Sequence, residues 1–376
     1  MYVGGIRGEN CNLRKIGVMG TLSFKQRIAL ELHRQLLKDI REKHPLRQLF
    51  WECTLRCNMK CRHCGSDCKV SAEHKDMPFA DFRKVLEDVK EKYDSHKVMI
   101  VITGGEPLMR KDLEQCGRII YDMEFPWGVV SNGYLMTPQR IDSLLCSGMH
   151  CATISLDGFQ QEHEWMRGVP GSFNNASRAI GILSKEPQIK FDVVTCVNRM
   201  NYSSLPELKE YLISLGLKEW RLFTVFPVGR AAQDPMLQLD KEQFRGLMEF
   251  IRQTRKEGRI KASYGCEGFL GEFEGDVRDH LFTCQAGLSV GSVLIDGSIS
   301  ACASIRSDYT QGNIYREKFT DVWENRYGQY RDRSWMKKDE CKNCKWFRYC
   351  LGGGMHLRDE HGKLLFCHLE RMSMDK

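Results

Sequence analysis

The strongest constraint on the fold is a sixfold alternation of apolar runs with segments of helical periodicity. The runs indicate strands, because each is short, apolar and bounded by turn residues, and they span 48–54, 97–105, 127–133, 151–158, 191–198 and 220–226. Strands that alternate with helices predict βαβ units and a parallel sheet buried on both faces. Six units are too few for a closed eightfold barrel, so an open partial barrel and a doubly wound sheet both fit. In either fold the chemistry is expected at the carboxyl ends of the strands.

The rest of the chain divides around this α/β core. Residues 1–45 are predicted to form an N-terminal extension with an amphipathic helix, whose apolar residues lie four apart: Ile28, Leu32, Leu36 and Ile40. The alternating strands occupy 46–235, and a linking helix is expected over 236–261. Residues 262–376 are predicted to form a small cysteine-rich α+β domain, in which Asp296-Gly297 marks the turn of a hairpin.

Composition narrows the class of protein. The 376 residues carry a net charge of +7 that is spread along the chain, so no basic stripe for a nucleic-acid partner is present. No apolar stretch approaches the roughly 18 residues of a membrane span, and we find no secretory signal, so we expect a cytoplasmic protein.

The 17 cysteines are an odd number, and cytosolic thiols are kept reduced. Metal binding or redox chemistry is therefore favoured over disulfides.

Three cysteines follow the first predicted strand with the spacing C-x3-C-x2-C: Cys57, Cys61 and Cys64. Three clustered thiolates suit an iron–sulfur cluster, and a four-iron cluster with three protein ligands keeps one iron open to a small molecule. A structural zinc site is the alternative, because three nearby residues are available as a fourth ligand: Cys53, Cys68 and His63.

A glycine-rich loop, Gly104-Gly105-Glu106-Pro107, ends the next predicted strand. Its glycines allow close backbone approach to a ligand, and its carboxylate can accept a hydrogen bond from an ammonium group. Combined with the cysteine triad at the same sheet edge, this loop resembles the radical S-adenosylmethionine (radical SAM) enzymes. The resemblance covers about residues 46–230 and implies a partial (β/α)6 barrel with a parallel sheet.

The resemblance also implies a role for each motif. The cysteine triad would hold a [4Fe–4S] cluster whose fourth iron binds S-adenosylmethionine, and one electron would cleave that cofactor to give a 5′-deoxyadenosyl radical that takes hydrogen from a substrate. Gly104, Gly105 and Glu106 are implied cofactor contacts, and His63 falls where the family often packs an aromatic residue against the adenine. Four polar residues at later strand ends are candidate ribose or carboxylate contacts, with turn or cap roles as the alternative: Asn132, Ser155, Asp157 and Arg167.

A second group of cysteines lies near the C-terminus: Cys341, Cys344, Cys350 and Cys367. Four thiolates saturate a cluster or a zinc ion, so this site is expected to be structural or to relay electrons. With the preceding cysteines the pattern resembles a SPASM domain, which carries up to two auxiliary [4Fe–4S] clusters. By that resemblance the four hold auxiliary cluster II, and three more hold auxiliary cluster I: Cys266, Cys284 and Cys302. The family's usual next cysteine is replaced by Gly354, so cluster I would be open to substrate, completed by His356 or another residue, or vacant.

SPASM enzymes mostly modify peptides or proteins, so the resemblance implies such a substrate and an electron donor such as flavodoxin or ferredoxin. A sulfatase-maturing enzyme, which the missing cysteine disfavours, and a small-molecule or haem-pathway enzyme are alternatives within the superfamily. A non-enzymatic zinc-ribbon binding protein is the alternative from a different class, but it leaves the glycine loop and the six βα units unexplained. The C-terminal residues also resemble a radical SAM group found beside lipoprotein genes in Bacteroidetes.

Overall fold

The computed structural model describes residues 22–373 except 67, 73, 266, 267 and 306. Within this part of the chain there are ten strands: β1 Gln48–Thr54, β2 Met99–Gly104, β3 Trp127–Ser131, β4 Met149–Ser155, β5 Lys190–Val197, β6 Glu219–Thr224, β7 Lys261–Tyr264, β8 Val290–Val293, β9 Ser298–Ser300 and β10 Gly312–Asn313. They form a single sheet in the order β10-β9-β8-β1-β2-β3-β4-β5-β6-β7.

The same residues form twelve α-helices: α1 Phe24–Lys43, α2 Phe79–Lys92, α3 Leu113–Asp122, α4 Pro138–Cys146, α5 Gln160–Arg167, α6 Ser172–Leu183, α7 Leu205–Ser214, α8 Lys241–Glu257, α9 Phe319–Asn325, α10 Gly328–Arg331, α11 Phe347–Cys350 and α12 His368–Met372. Over the described ranges, none of these helices has both the length and the apolar composition needed to cross a bilayer.

The six predicted strands correspond to β1–β6, which lie side by side in chain order with every neighbouring pair parallel. This confirms the predicted α/β fold with a parallel sheet. Large apolar side chains on these strands are fully buried, among them Trp51, Trp127 and Trp220. Trp51 on β1 stacks on Phe82 of α2 with 4.6 Å between ring centroids, so a helix covers this part of the sheet. Because all six strands run in one direction, their carboxyl ends meet at one edge of the sheet.

Two further parallel strands extend the sheet beyond the six predicted ones. β7 pairs with β6, and β8 pairs with β1 in a register that sets Gln48 opposite Val290. The predicted hairpin forms, since β8 turns back into the antiparallel strand β9 and Gly297 of the turn has a φ of +83°. The C-terminal part therefore contributes strands directly to the central sheet, and the predicted domain boundaries stay a prediction.

The amphipathic helix expected in the N-terminal extension is α1, but its predicted apolar stripe does not face the protein. Leu32 is 67% exposed and Leu36 is 55% exposed, whereas Leu30 and Leu37 are buried. Polar contacts on the buried side explain this orientation. Gln26 Nε2 donates to the Glu272 carbonyl at 2.8 Å, and His33 Nε2 lies 2.7 Å from Thr283 Oγ1.

Candidate functional site

A cavity of about 180 Å³ lies at the carboxyl ends of β1–β4. Ten of the residues predicted for the cofactor site line it: Cys57, Cys61, His63, Cys64, Gly104, Gly105, Glu106, Asn132, Ser155 and Arg167. Asp157 is the remaining predicted contact at this edge, and it lies outside the cavity wall. Residues that are distant in the sequence thus meet at one edge of the sheet, which is where parallel α/β folds carry their active sites.

Backbone hydrogen bonds hold the loop after β1, whose three cysteines line the cavity. The Cys57 amide donates to the Lys69 carbonyl at 2.8 Å, and the Cys64 amide donates to the Cys61 carbonyl at 3.3 Å. Burial raises the pKa of the Cys57 thiol to about 12, and it also raises the pKa of Cys61. Thiolates in such a buried place need a positive partner. A metal cluster supplies that charge, so the donor set fits an iron–sulfur group held by sulfur.

The two glycines after β2 are required by their packing against the β1 end. Gly104 has a φ of +131°, and a Cβ there would lie 2.1 Å from the Thr54 carbonyl oxygen. A Cβ on Gly105 would lie 2.2 Å from the Arg56 carbonyl oxygen. The glycines are therefore needed for an approach of two protein backbones, which brings the glycine loop beside the cysteine loop, and their approach to a ligand stays a prediction.

Glu106 joins the ends of β2 and β3. Its Oε1 accepts from Ser131 Oγ at 2.9 Å and from the Leu108 amide at 3.2 Å, and its Oε2 accepts from the Asn132 amide at 2.8 Å. Burial raises the pKa of this carboxyl group, and these donors oppose the rise. A carboxylate offers about four lone-pair sites, so Glu106 retains acceptor capacity at the cavity.

His63 has a buried ring nitrogen with no hydrogen-bond partner in the described part of the chain, namely Nδ1. Burial, assisted by the charge of Arg167, lowers its pKa to about 4, so the ring is neutral at physiological pH. A buried polar atom without a partner carries a free-energy penalty unless a ligand satisfies it. His63 therefore fits a cavity that takes a polar or heteroaromatic group.

Asp157 positions Arg167 beneath the cavity. Arg167 Nε lies 2.6 Å from Asp157 Oδ2, and both side chains are almost fully buried. Burial alone would raise the pKa of Asp157, but the Arg167 guanidinium holds it below its usual range. The second carboxylate oxygen accepts from the Cys196 amide at 2.8 Å. Arg167 lines the cavity, and its Nη1 lies 3.8 Å from Cys61 Sγ.

Asn132 and Ser155 also lie on the cavity wall. Asn132 Nδ2 donates to Asn58 Oδ1 at 2.8 Å, while its Oδ1 accepts from the Tyr134 amide at 3.0 Å. The second of these hydrogen bonds gives Asn132 the turn role that was predicted as the alternative to a cofactor contact. Asn132 thus combines a turn role with a position in the cavity wall.

The C-terminal cysteines form a second, smaller site. A cavity of about 50 Å³ is lined by Cys341, Cys344, Cys350 and Cys367, as the spacing predicts. Apolar side chains that include Phe347, Leu357 and Phe366 form much of the remaining wall. Arg358 Nη2 lies 3.4 Å from Cys341 Sγ, and burial raises the pKa of Cys367 to about 11. Four thiols in so small and apolar a space suit a group whose ligands all come from the protein.

Comparison with known families identifies the class of protein to which the chain belongs. The Radical SAM superfamily model matches residues 51–212, and the SPASM iron-sulfur cluster-binding domain model matches residues 284–345. The chain is a radical SAM enzyme with a SPASM domain. A radical SAM domain implies a [4Fe–4S] cluster and S-adenosylmethionine, and a SPASM domain implies further iron–sulfur clusters. The non-enzymatic zinc-ribbon alternative is therefore wrong.

Relatives of this radical SAM enzyme carry names from two chemistries. The chain is 24% identical over 324 residues to the AdoMet-dependent heme synthase of Methanosarcina barkeri, covering 81% of this chain and 90% of the relative. It is 28% identical over 314 residues to the mycofactocin maturase MftC of Mycolicibacterium smegmatis, covering 82% and 77%. Among solved structures, anSMEcpe with bound AdoMet and a Kp18Cys peptide superposes with a TM-score of 0.67 at 20% identity, covering 87% of this chain and 94% of that chain.

The remaining SPASM cysteines are described only in part. Cys266 lies outside the described residues. Cys284 is buried, and Arg333 together with the Met355 amide holds its pKa below the usual range despite that burial. Cys302 Sγ accepts from the Ser304 amide at 3.5 Å. Next to Gly354, His356 packs its ring on Phe226 at 4.4 Å between centroids, and its Nε2 is buried without a partner in the described residues.

Sequence reasoning assigned no cofactor role to several residues that line the radical SAM cavity: Met59, Cys68, Thr103, Ser131 and Arg230. Cys68 was identifiable as a spare thiol four residues after Cys64, and it was considered only as a zinc ligand. Arg230 follows β6, and its Nε donates to the Cys61 carbonyl at 2.8 Å. That contact joins distant parts of the chain, so no local pattern predicts it.

Proposed function

We propose that the cavity at the ends of β1–β4 binds S-adenosylmethionine at a [4Fe–4S] cluster held by Cys57, Cys61 and Cys64. The observation that carries this proposal is the convergence of three thiols, the glycine loop and the unpartnered His63 Nδ1 on one cavity. When bound, this pair of cofactors supplies one-electron cleavage of the sulfonium to methionine and a 5′-deoxyadenosyl radical that takes hydrogen from a substrate.

The protein's own residues bind and orient the cofactor. Glu106 and the backbone of Gly104 and Gly105 accept from its ammonium group, since these acceptors lie beside the cysteine loop. Arg167 offers a guanidinium to its carboxylate and is kept charged and in place by Asp157. His63, Asn132 and Ser155 contact its nucleoside. Because His63 is neutral, it packs against the adenine without adding a second positive charge near the sulfonium.

The C-terminal sites are proposed to hold the auxiliary clusters of the SPASM domain. Cys341, Cys344, Cys350 and Cys367 bind one cluster with four protein ligands. Cys266, Cys284 and Cys302 contribute to another, whose fourth position Gly354 does not fill. A flavodoxin or ferredoxin is the proposed electron donor.

The proposed substrate is a peptide or a protein side chain. The names of two relatives agree with this class, since one is called a mycofactocin maturase and another a PqqA peptide cyclase.

A haem-pathway substrate is the second candidate, favoured by the heme synthase relative. We rank this candidate below a peptide, because SPASM enzymes mostly modify peptides or proteins.

Deuterium transfer distinguishes the two candidates. The reconstituted protein, S-adenosylmethionine and a one-electron reductant are incubated with a deuterated extract of the organism that carries the chain, and 5′-deoxyadenosine is analysed by mass spectrometry. We expect deuterium in 5′-deoxyadenosine, and we expect it to disappear when the extract is first digested with protease. Transfer that survives digestion and follows the tetrapyrrole fraction would favour the haem-pathway candidate. No 5′-deoxyadenosine under any condition would contradict the cofactor assignment itself.

A further inference from the structure

The exposed face of α1 carries a continuous row of large apolar side chains, hereafter the exposed row: Phe24, Ile28, Leu32 and Leu36. Phe24 is 80% exposed and Ile28 is 46% exposed, and the other two are more than half exposed. Residues four apart in a helix are neighbours on its surface, so the four side chains adjoin one another. Single exposed apolar residues are ordinary, whereas a contiguous patch of them marks an interaction surface.

Polar contacts fix this orientation of α1. On the bound side of the helix, Tyr349 Oη donates to Glu31 Oε1 at 2.6 Å, and Arg348 forms an ion pair with the same carboxylate. Gln26 and His33 also hydrogen-bond to the C-terminal part of the chain. A rotation of the helix that buried the exposed row would break these contacts, so the row stays available to a partner.

The residues around Leu32 are arranged symmetrically along the helix. Ile28 lies four residues before Leu32, and Leu36 lies four residues after it. Two exposed charges of opposite sign, Lys25 and Asp39, lie seven residues before and seven residues after the same leucine. A step of seven residues is close to two helical turns, so both charges are on the side of the helix that Leu32 occupies.

We propose that the exposed row binds the same row of a second copy of this chain, with the two α1 helices antiparallel and Leu32 on the two-fold axis. In that register Ile28 of each copy faces Leu36 of the other. Lys25 of each copy faces Asp39 of the other, so one homodimer gains two ion pairs. A two-fold interface requires a surface that is complementary to itself in this way, and rows of residues four apart pack against one another between helices.

The distribution of charge favours a second copy over other occupants. An anionic membrane surface would meet the exposed carboxylates of Asp39 and Glu42, which flank the exposed row. A strongly acidic or strongly basic protein would set a like charge against Asp39 or Lys25, whereas a second copy pairs both. One helix pair covers less than the roughly 800 Å² per partner of a stable interface, so we expect a weak dimer with a dissociation constant of about 1–100 µM.

The test is sedimentation velocity of the full chain at concentrations from about 1 µM to about 300 µM. Lys25→Glu and Asp39→Lys each place like charges opposite one another, and the double variant restores opposite charges in exchanged positions. Because Asp39 also pairs with Lys43 of its own helix at 2.7 Å, Lys25→Glu is the cleaner of the two single variants. Lys38→Glu is the matched control, since it makes the same change of charge at an exposed position of α1 outside the row. Leu32→Ser removes the central apolar contact.

We expect the wild type to form a dimer as its concentration rises. Each single charge reversal should raise the dissociation constant about fivefold to thirtyfold, because two exposed ion pairs become two repulsions. The double variant should return to within about threefold of the wild type, and Lys38→Glu should not change the constant. Leu32→Ser should raise it at least about tenfold. The free energy of unfolding of the dilute Leu32→Ser protomer should change little, which separates loss of the dimer from loss of the fold.

A wild type that stays a protomer at every concentration would overturn the proposal, and residues 1–21 or a different protein would then be the occupant of the exposed row. A double variant that dimerises no better than the single variants would overturn it as well. An effect of Lys38→Glu equal to that of Lys25→Glu would do the same, because the charge effect would then not depend on the register. Binding of the wild type to vesicles of anionic lipid without dimerisation would overturn it in favour of a membrane surface.

Discussion

The two cysteine sites of this chain differ in what surrounds the sulfur atoms. The first has three predicted ligands in a cavity of about 180 Å³ whose wall includes many polar side chains from several strand ends. The second has four in a cavity of about 50 Å³ with a largely apolar wall. An open wall with spare acceptors can take a small molecule, and a filled one cannot. Ligand number and wall polarity together therefore separate a reactive cluster from a structural or electron-relay cluster.

Removal of one thiol from each site should give the largest difference in activity between the two sites. Cys57→Ala is expected to lower 5′-deoxyadenosine formation to the background level, because the cofactor-binding cluster is lost. Cys350→Ala should also lose about four irons, yet keep at least about a tenth of the cleavage rate, because distant sites act independently. Product formation and iron content are measured under anaerobic conditions. An equal loss of cleavage in both variants would contradict the distinction between a reactive cluster and a structural or electron-relay cluster.

The buried ion pairs of the two regions offer the next largest effect. Asp157→Asn leaves Arg167 unpaired, and Glu274→Gln leaves Arg278 unpaired in the C-terminal part. Each should lower the free energy of unfolding by about 3–5 kcal/mol, because a buried charge loses its partner. The Asp157 variant should also weaken binding of S-adenosylmethionine, while the Glu274 variant should not. Denaturant titration and equilibrium binding check the two parts. Equal binding losses in both variants would show that the effect is only one of stability.

His163, whose Nδ1 accepts from the Asp157 amide at 3.0 Å, should make stability depend on pH. Burial lowers its pKa to about 4, against about 6.5 in the unfolded chain. The unfolded state therefore binds more protons between these values, and stability falls as the pH drops from 6.5 towards 4. The contribution of His163 is about 3 kcal/mol over that window. Denaturation of the wild type and His163→Gln at several pH values measures it. Parallel curves for the two proteins would contradict this assignment.

The smallest effects are expected on α1. Leu32→Ser, at an exposed position, should change the free energy of unfolding by less than about 0.5 kcal/mol, whereas Leu37→Ala should cost about 2–4 kcal/mol. Thermal and denaturant unfolding of the two variants provide the measurement. A large loss for Leu32→Ser would mean that the predicted stripe, and not the buried face of the structure, carries the packing.

The sequence was sufficient for features that depend on local spacing. The six core strands, the Cys57, Cys61 and Cys64 loop and the glycine loop after β2 follow from short patterns, and each was predicted. The orientation of α1 was not, because it depends on contacts such as that of Gln26 with Glu272, which lie 246 residues apart. The same reason hid the pairing of β8 with β1: the hairpin that contains β8 was predicted, but its place in the central sheet was not.

The roles of individual site residues could not be predicted fully either, because they depend on side-chain orientation and long-range contacts. Asp157 was placed near the cofactor by its position at a strand end, yet its side chain supports Arg167 from outside the cavity. That distinction depends on which way a side chain turns, and spacing does not contain it. Cys68 was visible as a fifth cysteine in a short stretch, but its place in the cavity wall depends on contacts such as the hydrogen bond from Arg230 to its carbonyl, which join distant parts of the chain.

The most direct test of the account is electron paramagnetic resonance of the anaerobically reduced protein with and without S-adenosylmethionine, in the wild type and in Cys57→Ala. The account predicts that the cofactor changes one signal of the wild type, and that Cys57→Ala lacks this signal while the signal from the C-terminal cluster persists. A spectrum that S-adenosylmethionine leaves unchanged, or a cofactor-sensitive signal that survives in Cys57→Ala, would contradict the claim that the cavity at the ends of β1–β4 holds the reactive cluster.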